Sequence, residues 1–461
     1  MDVQATTAAT GADEAAKAQA AKAEADRLIE SLQSPDIREN PYPTYAALRD
    51  LAPVHLTAGM AYLTRYDDCL AVIRNPALGA QGPAWMDSIR PGWRDHPGLR
   101  ATHESFVFRD PPDHTRLRRQ VSGEFSPSKV KRLRGYIAEV TAQVLDLVAD
   151  AGADGDVVDL HEILATTLPI NVIGKILGVP PADHPMLREP LEGLRLAADG
   201  STRNDLPIID RAGAALISYF AELAAERRKA PRNDLVSALV AIRDSGSNGT
   251  GGNRTGGNRT GGNGSGGNGG GGNGGGGNGG GGPDEGVLTE DEMLQSLTLI
   301  FSAAIESMAD LLLNGTAALI AFPAQAAALR ADPGLTAGAV EETLRYDAPV
   351  QGIGRIPGSD LTIGGVLIPA GTFVLPLLGA GNRDPDRFPD PDTFDLTRTG
   401  PAPLSLSGGA HFCLGAALAR LEAAVFFPAL TSRFPALQLA APPVRRGFAL
   451  RGFASFPVTL R

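Results

Sequence analysis

The chain has 461 residues, with 52 acidic against 42 basic side chains and a formal net charge of −10. That balance, without a basic stripe interleaved with aromatics, excludes nucleic acid as the expected partner. Two cysteines, Cys69 and Cys413, are too few for a disulfide scaffold or a multi-cysteine metal site.

Residues 1–25 are Ala-rich and polar, with neither a secretory apolar core nor the ~20-residue span of a membrane helix. They read as a disordered extension ahead of one large domain, residues 26–461. Short strand patterns follow at 54–56 and 61–64, and Cys69 sits in a stretch that reads as helix core. Apolar residues recur at helical spacing over 130–148, 216–227, 297–322 and 339–346. Further strand pieces fall at 361–363 and 372–376, and 449–460 alternates as a hairpin would. The fold class is mainly α with minor β.

Residues 245–282 are almost pure Gly and Asn and offer nothing to bury. They read as a disordered surface loop inside the domain. Lengthening a loop from about eight to about 38 residues costs only ~1.4 kcal/mol, so the insertion is cheap. The most apolar stretch, 296–321, carries Glu306 and Asp310, so no membrane span is expected and the protein reads as soluble and cytoplasmic.

The segment Ser405-Leu-Ser-Gly-Gly-Ala-His-Phe-Cys-Leu-Gly-Ala-Ala-Leu-Ala-Arg420 puts Cys413 in a glycine-rich bend that runs into a helix. Leu414, Leu418, Leu421 and Val425 supply the helical period. A sulfur at a helix N-terminus meets the positive end of the dipole and unsatisfied N–H groups, which favour the thiolate. Gly408, Gly409 and Gly415, with Ala410, Ala416 and Ala417, leave a surface without bulk on which a large planar ligand can lie. A lone cysteine is more often a buried hydrophobe, so the context decides.

That context resembles the haem-binding loop of the cytochromes P-450, Phe-Gly-x-Gly-x-His-x-Cys-x-Gly. Gly409, His411, Cys413 and Gly415 keep the register, while Leu406 and Ser407 replace the usual phenylalanine and glycine. The resemblance runs from about residue 37 to the end, apart from the Gly/Asn tract. It implies the cytochrome P-450 fold and haem b, with Cys413 as axial ligand to iron.

His114 and Arg118 stand four residues apart, on one face of a helix. Alone this reads as an exposed basic helix; the resemblance makes them haem-propionate ligands, together with Arg355 and His411. Glu342 and Arg345 match a buried structural ion pair, whose third partner is an arginine just before Phe394. Thr393 stands there instead, so a looser tie is expected. In the central helix the family's Ala-Gly-x-Glu/Asp-Thr becomes Ala303-Ala304-Ile305-Glu306-Ser307. The resemblance makes Glu306 and Ser307 the acid–alcohol pair that delivers protons during dioxygen activation. It places Ala304 against the cofactor, and Ile305 and Met308 in the pocket lining. Serine keeps the donor and acceptor of threonine but loses the methyl that restricts χ1.

The implied activity is a soluble bacterial-type monooxygenase that inserts one oxygen atom from O2 into a lipophilic small molecule of secondary metabolism. Electrons would come from a ferredoxin and its NAD(P)H-dependent reductase. Arg116, Arg119, Lys129, Lys131 and Arg132 offer a basic face for that partner, although a solvated helix face explains them almost as well. Two alternatives stay open. One is a non-oxygenating oxidase that couples rings or desaturates; the other is a catalytically degenerate haem protein that binds a small molecule.

Overall fold

A computed structural model describes residues 3–165, 167–198, 205–247 and 288–460. The fold is organised on one long helix, Glu290–Ala321. Its 32 residues extend about 48 Å at the α-helical rise. Thr289 and Glu292 open it with a reciprocal capping box, in which the Thr289 side chain accepts from the Glu292 N–H and Glu292 accepts from the Thr289 N–H. Almost every residue from Glu292 to Leu319 is buried, so this apolar helix is the core of the protein rather than a bilayer span.

Around it pack Leu168–Leu177, Leu206–Lys229, Thr336–Tyr346 and Ala416–Arg433, all contributing to one apolar cluster. The Ala416–Arg433 helix also lies along Arg134–Ala151, through residues such as Val140, Val144, Phe426 and Phe427. Five small sheets sit at the periphery among the described residues. In the first, Val54–Thr57 and Met60–Leu63 form a hairpin closed by Ala58 and Gly59, both at positive φ. Phe373–Pro376 then joins in parallel, with Met60 opposite Phe373. The helix Tyr66–Arg74 packs behind this sheet and buries Cys69 completely, as its sequence context indicated.

The family-type fold, mostly helical with small sheets, is as the sequence led us to expect, with three local corrections. First, residues 3–31 form a helix where a disordered extension over 1–25 was expected. Alanine is the strongest helix former, and Ala25, Ile29 and Leu32 bury the end of this helix against Tyr45, Leu48 and Leu377. Second, the strands Gly452–Ser455 and Pro457–Thr459 do not pair with each other. The first pairs with Val444–Arg446, and the second lies between Val158–Asp159 and Gln438–Leu439. Third, residues 245–247 belong to the helix Leu235–Ser247; the rest of the Gly/Asn tract lies outside the described residues.

Candidate active site

The Cys413 loop is anchored before its helix begins. Asn382 accepts from the Leu404 N–H at 2.7 Å and donates to Ser405 Oγ at 2.7 Å, while Ser405 Oγ donates to the Leu344 carbonyl. The loop therefore hangs on the Thr336–Tyr346 helix. Gly409, at φ +63°, presses against Tyr66–Arg74; a Cβ there would stand 3.1 Å from the Ile73 carbonyl. The chain then turns so that the Cys413 N–H donates to the Leu406 carbonyl at 2.9 Å. Gly415 caps the Ala416–Arg433 helix, so Cys413 lies just ahead of its first turn.

Burial pushes the Cys413 thiol above its ordinary pKa, against the Gly415 N–H and the charges of Arg118 and Arg420. Helix position alone therefore does not make the thiolate, contrary to the sequence expectation. Coordination to a metal does, because a ligating thiol is deprotonated outright.

Four basic side chains converge on this loop. His114 and Arg118 come from the helix Asp113–Ser122, and Arg118 donates to the Phe412 carbonyl next to the cysteine. The His114 and His411 rings stand 4.2 Å apart between centroids. Arg355 is buried beside them and donates to the Gly354 carbonyl at 2.9 Å. Both ring nitrogens of His114 are buried without a hydrogen-bond partner. Burial pushes His411 down to about 3, helped by Arg355, His114 and Arg118. His114 is lowered by burial, then by Arg118 and Arg355, with Asp110 opposing.

Such a nest, rich in donors and poor in acceptors, fits a ligand that brings two carboxylates. The donor set and the unpartnered His114 nitrogens therefore suit haem, with Cys413 alone to hold its iron. No cluster of three or more His, Cys, Asp or Glu among the described residues could hold a metal otherwise.

On the central helix, Ala303 is exposed, and Ala304 and Ser307 are partly so, within a helix that is otherwise nearly all buried. These three residues form its open face. Ile305 and Met308, expected in the pocket lining, are instead 3% and 4% exposed and belong to the core. The Ser307 hydroxyl donates to the Ala303 carbonyl at 2.7 Å. Glu306 is held in an ion cluster, with Arg446 Nη2 at 2.9 Å and Arg195 Nε at 3.8 Å from Oε2.

Two features were missed from the sequence. Glu342 does have its third partner: Arg398 Nε lies 3.1 Å from Oε1, alongside Arg345 at 2.7 Å. The Thr393 carbonyl accepts from both arginines, at 3.0 and 2.9 Å. The cation has moved to the far side of Phe394, so the expected looser tie is corrected. Asp310 and Arg446 were also missed; the signal was an i, i+4, i+8 polar stripe, Glu306–Asp310–Asn314, on an apolar helix. Arg116 leaves the expected basic face, because it pairs with Glu292 at 2.6 Å and Asp113 at 3.2 Å. Lys129 pairs with Glu124 at 2.5 Å.

Comparison with known proteins identifies the family. The family model described as "Cytochrome P450" matches residues 327–444. The chain is 33% identical to cytochrome P450 BJ-3 of Bradyrhizobium diazoefficiens, over all of this chain and 99% of that one. It is 32% identical to the 6-deoxyerythronolide B hydroxylase of Saccharopolyspora erythraea, over 94% of this chain and 99% of that one. The crystal structure of ligand-free Mycobacterium smegmatis CYP164A2 superposes with a TM-score of 0.77 at 35% identity, covering 94% of this chain and 99% of that one. With its axial cysteine in register and a fold shared over 94% of its length, the chain belongs to the cytochrome P450 family, as a haem b-binding monooxygenase that uses O2 and external electron donors.

Proposed function

We propose that this monooxygenase acts on a lipophilic small molecule of bacterial secondary metabolism, in the cytoplasm, with electrons from a ferredoxin and its NAD(P)H-dependent reductase. The observation that carries the cofactor reading is the convergence of His114, Arg118, Arg355 and His411 on the Cys413 loop. The relatives support the substrate class: one is named for hydroxylation of 6-deoxyerythronolide B and another as a nocardicin C N-oxygenase. Haem bound through Cys413 supplies the dioxygen chemistry.

The chain's own residues do the rest. His114, Arg118, Arg355 and His411 hold the two carboxylates of the cofactor. Ala303 and Ala304 keep the open helix face low, so that a planar group and a substrate fit against it. Ser307 presents a hydroxyl there; while it donates to the Ala303 carbonyl, its oxygen still accepts a proton donor. Glu306 is held as a carboxylate by Arg446; once it swings away it can take up a proton and pass it through water toward the Ser307 hydroxyl. Arg119, Lys131 and Arg132 remain exposed for an acidic electron donor.

A second reading, ring coupling or desaturation, is motivated by the altered motif on the open helix face, where Ala304 and Ser307 replace the family's glycine and threonine. Product mass separates the readings, since oxygenation adds one oxygen atom and desaturation removes two hydrogens. The first test is the carbon monoxide spectrum of the reduced protein. The red-shifted Soret band of a thiolate-ligated haem is expected, and a band typical of neutral ligation overturns the assignment of Cys413. Spectral change on substrate binding without any turnover would point to the degenerate binding protein.

A further inference from the structure

The stripe Glu306, Asp310 and Asn314 runs along the central helix, and two adjacent arginines of the strand Val444–Arg446 read it. Arg445 donates to Asn314 Oδ1 at 2.7 Å and to Asp347 Oδ2 at 2.7 Å. Arg446 Nη2 donates to Glu306 Oε2 at 2.9 Å and also to Asp310 Oδ1 at 3.4 Å. One guanidinium nitrogen thus serves two carboxyl groups one helical turn apart.

Asp310 has no solvent exposure, and its Oδ2 has no hydrogen-bond partner. Its slot exists because residue 452, opposite Arg446 in the strand pair, is glycine. A Cβ at 452 would stand 1.7 Å from Asp310 Oδ1. Burial pushes Asp310 up to about 7; Arg446 and Arg195 pull it down and Glu306 adds to the rise. Close enough to feel both arginines lies His161, from the helix Leu160–Ala165. It is pushed down to about 4 by burial and by Arg446 and Arg195, with Asp159 opposing, so it adds no positive charge near neutrality.

We propose that Asp310 is a positioning residue for Glu306, competing with it for Arg446, so that the protonation of Asp310 sets how firmly the relay carboxylate is held. The role rests on the reading of Glu306 as the proton carrier. With Asp310 neutral, Arg446 belongs to Glu306. When Asp310 gives its proton to solvent, Arg446 is drawn along the helix toward it and the two carboxylates repel. Both effects free Glu306 to swing toward Ser307. An asparagine would fill the same slot but could not titrate.

The test uses the ferric holoenzyme and two readouts. Infrared difference spectra over a pH titration should show the carbonyl stretch of a protonated carboxyl that is lost near neutral pH. This band should be absent in Asp310→Asn. In Glu306→Gln, which removes the repulsion and releases Arg446, its midpoint should fall by at least one pH unit, a tenfold loss of proton affinity. A band that does not move in Glu306→Gln overturns the competition for Arg446. The Glu306→Gln titration leaves Asp310 in place, so it stands even if Asp310→Asn fails to bind haem. The second readout is peroxide released per electron supplied by a surrogate ferredoxin and reductase. It should change with pH near neutrality in the wild type and lose that dependence in Asp310→Asn; retained dependence overturns the positioning role. Peroxide release in Glu306→Gln equal to wild type overturns the relay reading itself, and the positioning role with it, whatever the infrared band does.

Discussion

Replacing Ser407 by glycine should stabilise this protein. Ser407 sits at φ +61° and ψ −159°, in the loop that leads to Cys413. That region of backbone space is essentially reserved for glycine, and an L-residue held there costs on the order of 1–3 kcal/mol. Its hydroxyl is buried without a hydrogen-bond partner, which costs about another 1 kcal/mol. Against this, glycine loses roughly 0.5–1 kcal/mol through the greater freedom of the unfolded chain. The balance is a gain of about 2 kcal/mol, the sum of these terms. With a urea slope of roughly 4 kcal/mol/M for a chain this long, the midpoint should rise by about 0.5 M. Urea titrations of the haem-loaded protein, followed by far-ultraviolet circular dichroism and Soret absorbance, measure this. Ser407→Ala serves as the internal control: it removes the hydroxyl but keeps the Cβ, so it should recover only about half of the gain. An unchanged or lowered midpoint in Ser407→Gly refutes the strain argument, and equal gains in both variants assign the effect to the hydroxyl alone.

Arg398→Ala should lower stability by about 1–3 kcal/mol, because it removes one charged hydrogen bond from the buried Glu342 while Arg345 and the Asp395 N–H remain; denaturant midpoints check it. The acid Asp310, raised from 3.8 to about 7, keeps its proton in the folded state where the unfolded chain has lost it. Its contribution is therefore full below about pH 4 and is lost as pH rises toward 7, on the order of 4 kcal/mol in all. Asp310→Asn escapes this loss, so its urea midpoint should gain on the wild type steadily from pH 5 to about pH 7 and then level off; parallel curves from pH 5 to 7 would contradict it. Ser307→Ala should raise peroxide release per electron consumed, since the relay loses its hydroxyl, and unchanged coupling removes Ser307 from the mechanism.

Local signals were legible in the sequence and through-space substitutions were not. The Cys413 loop was readable because its glycines, its histidine and the helix that follows are contiguous. Glu342 and Arg345 were readable because an i, i+3 pair is local. Arg398 was not, since it reaches Glu342 from a loop 56 residues away, steadied by the carbonyls of Pro389, Asp390 and Thr393. The terminal strands alternated visibly, yet their partners lie elsewhere in the chain, and alternation carries no information about pairing. Ile305 and Met308 were misplaced because an apolar residue on a central helix suits a pocket and a core equally. For the amino-terminal helix, the spacing of Ala25, Ile29 and Leu32 was present, but the polar composition around it obscured the docking stripe.

The engaged state of Glu306 and Ser307 is compatible with turnover, and it predicts where a defect would show. Freeing the Ser307 hydroxyl from the Ala303 carbonyl exchanges one neutral hydrogen bond, at about 1 kcal/mol. Freeing Glu306 from Arg446 breaks a charged one, at about 1.5–3 kcal/mol. The competent arrangement, about 2.5–4 kcal/mol uphill, is then populated at roughly the one-in-a-hundred to one-in-a-thousand level, since each 1.4 kcal/mol is a factor of ten. Side-chain rearrangement takes nanoseconds to microseconds, against turnover of about 10 per second for an average enzyme. Even the rarest of these populations is therefore visited many times per turnover. Loosening or tightening Arg446 should leave the overall rate of electron uptake nearly unchanged. It should instead shift the branching between product and peroxide, because only the proton-dependent branch samples the freed acid.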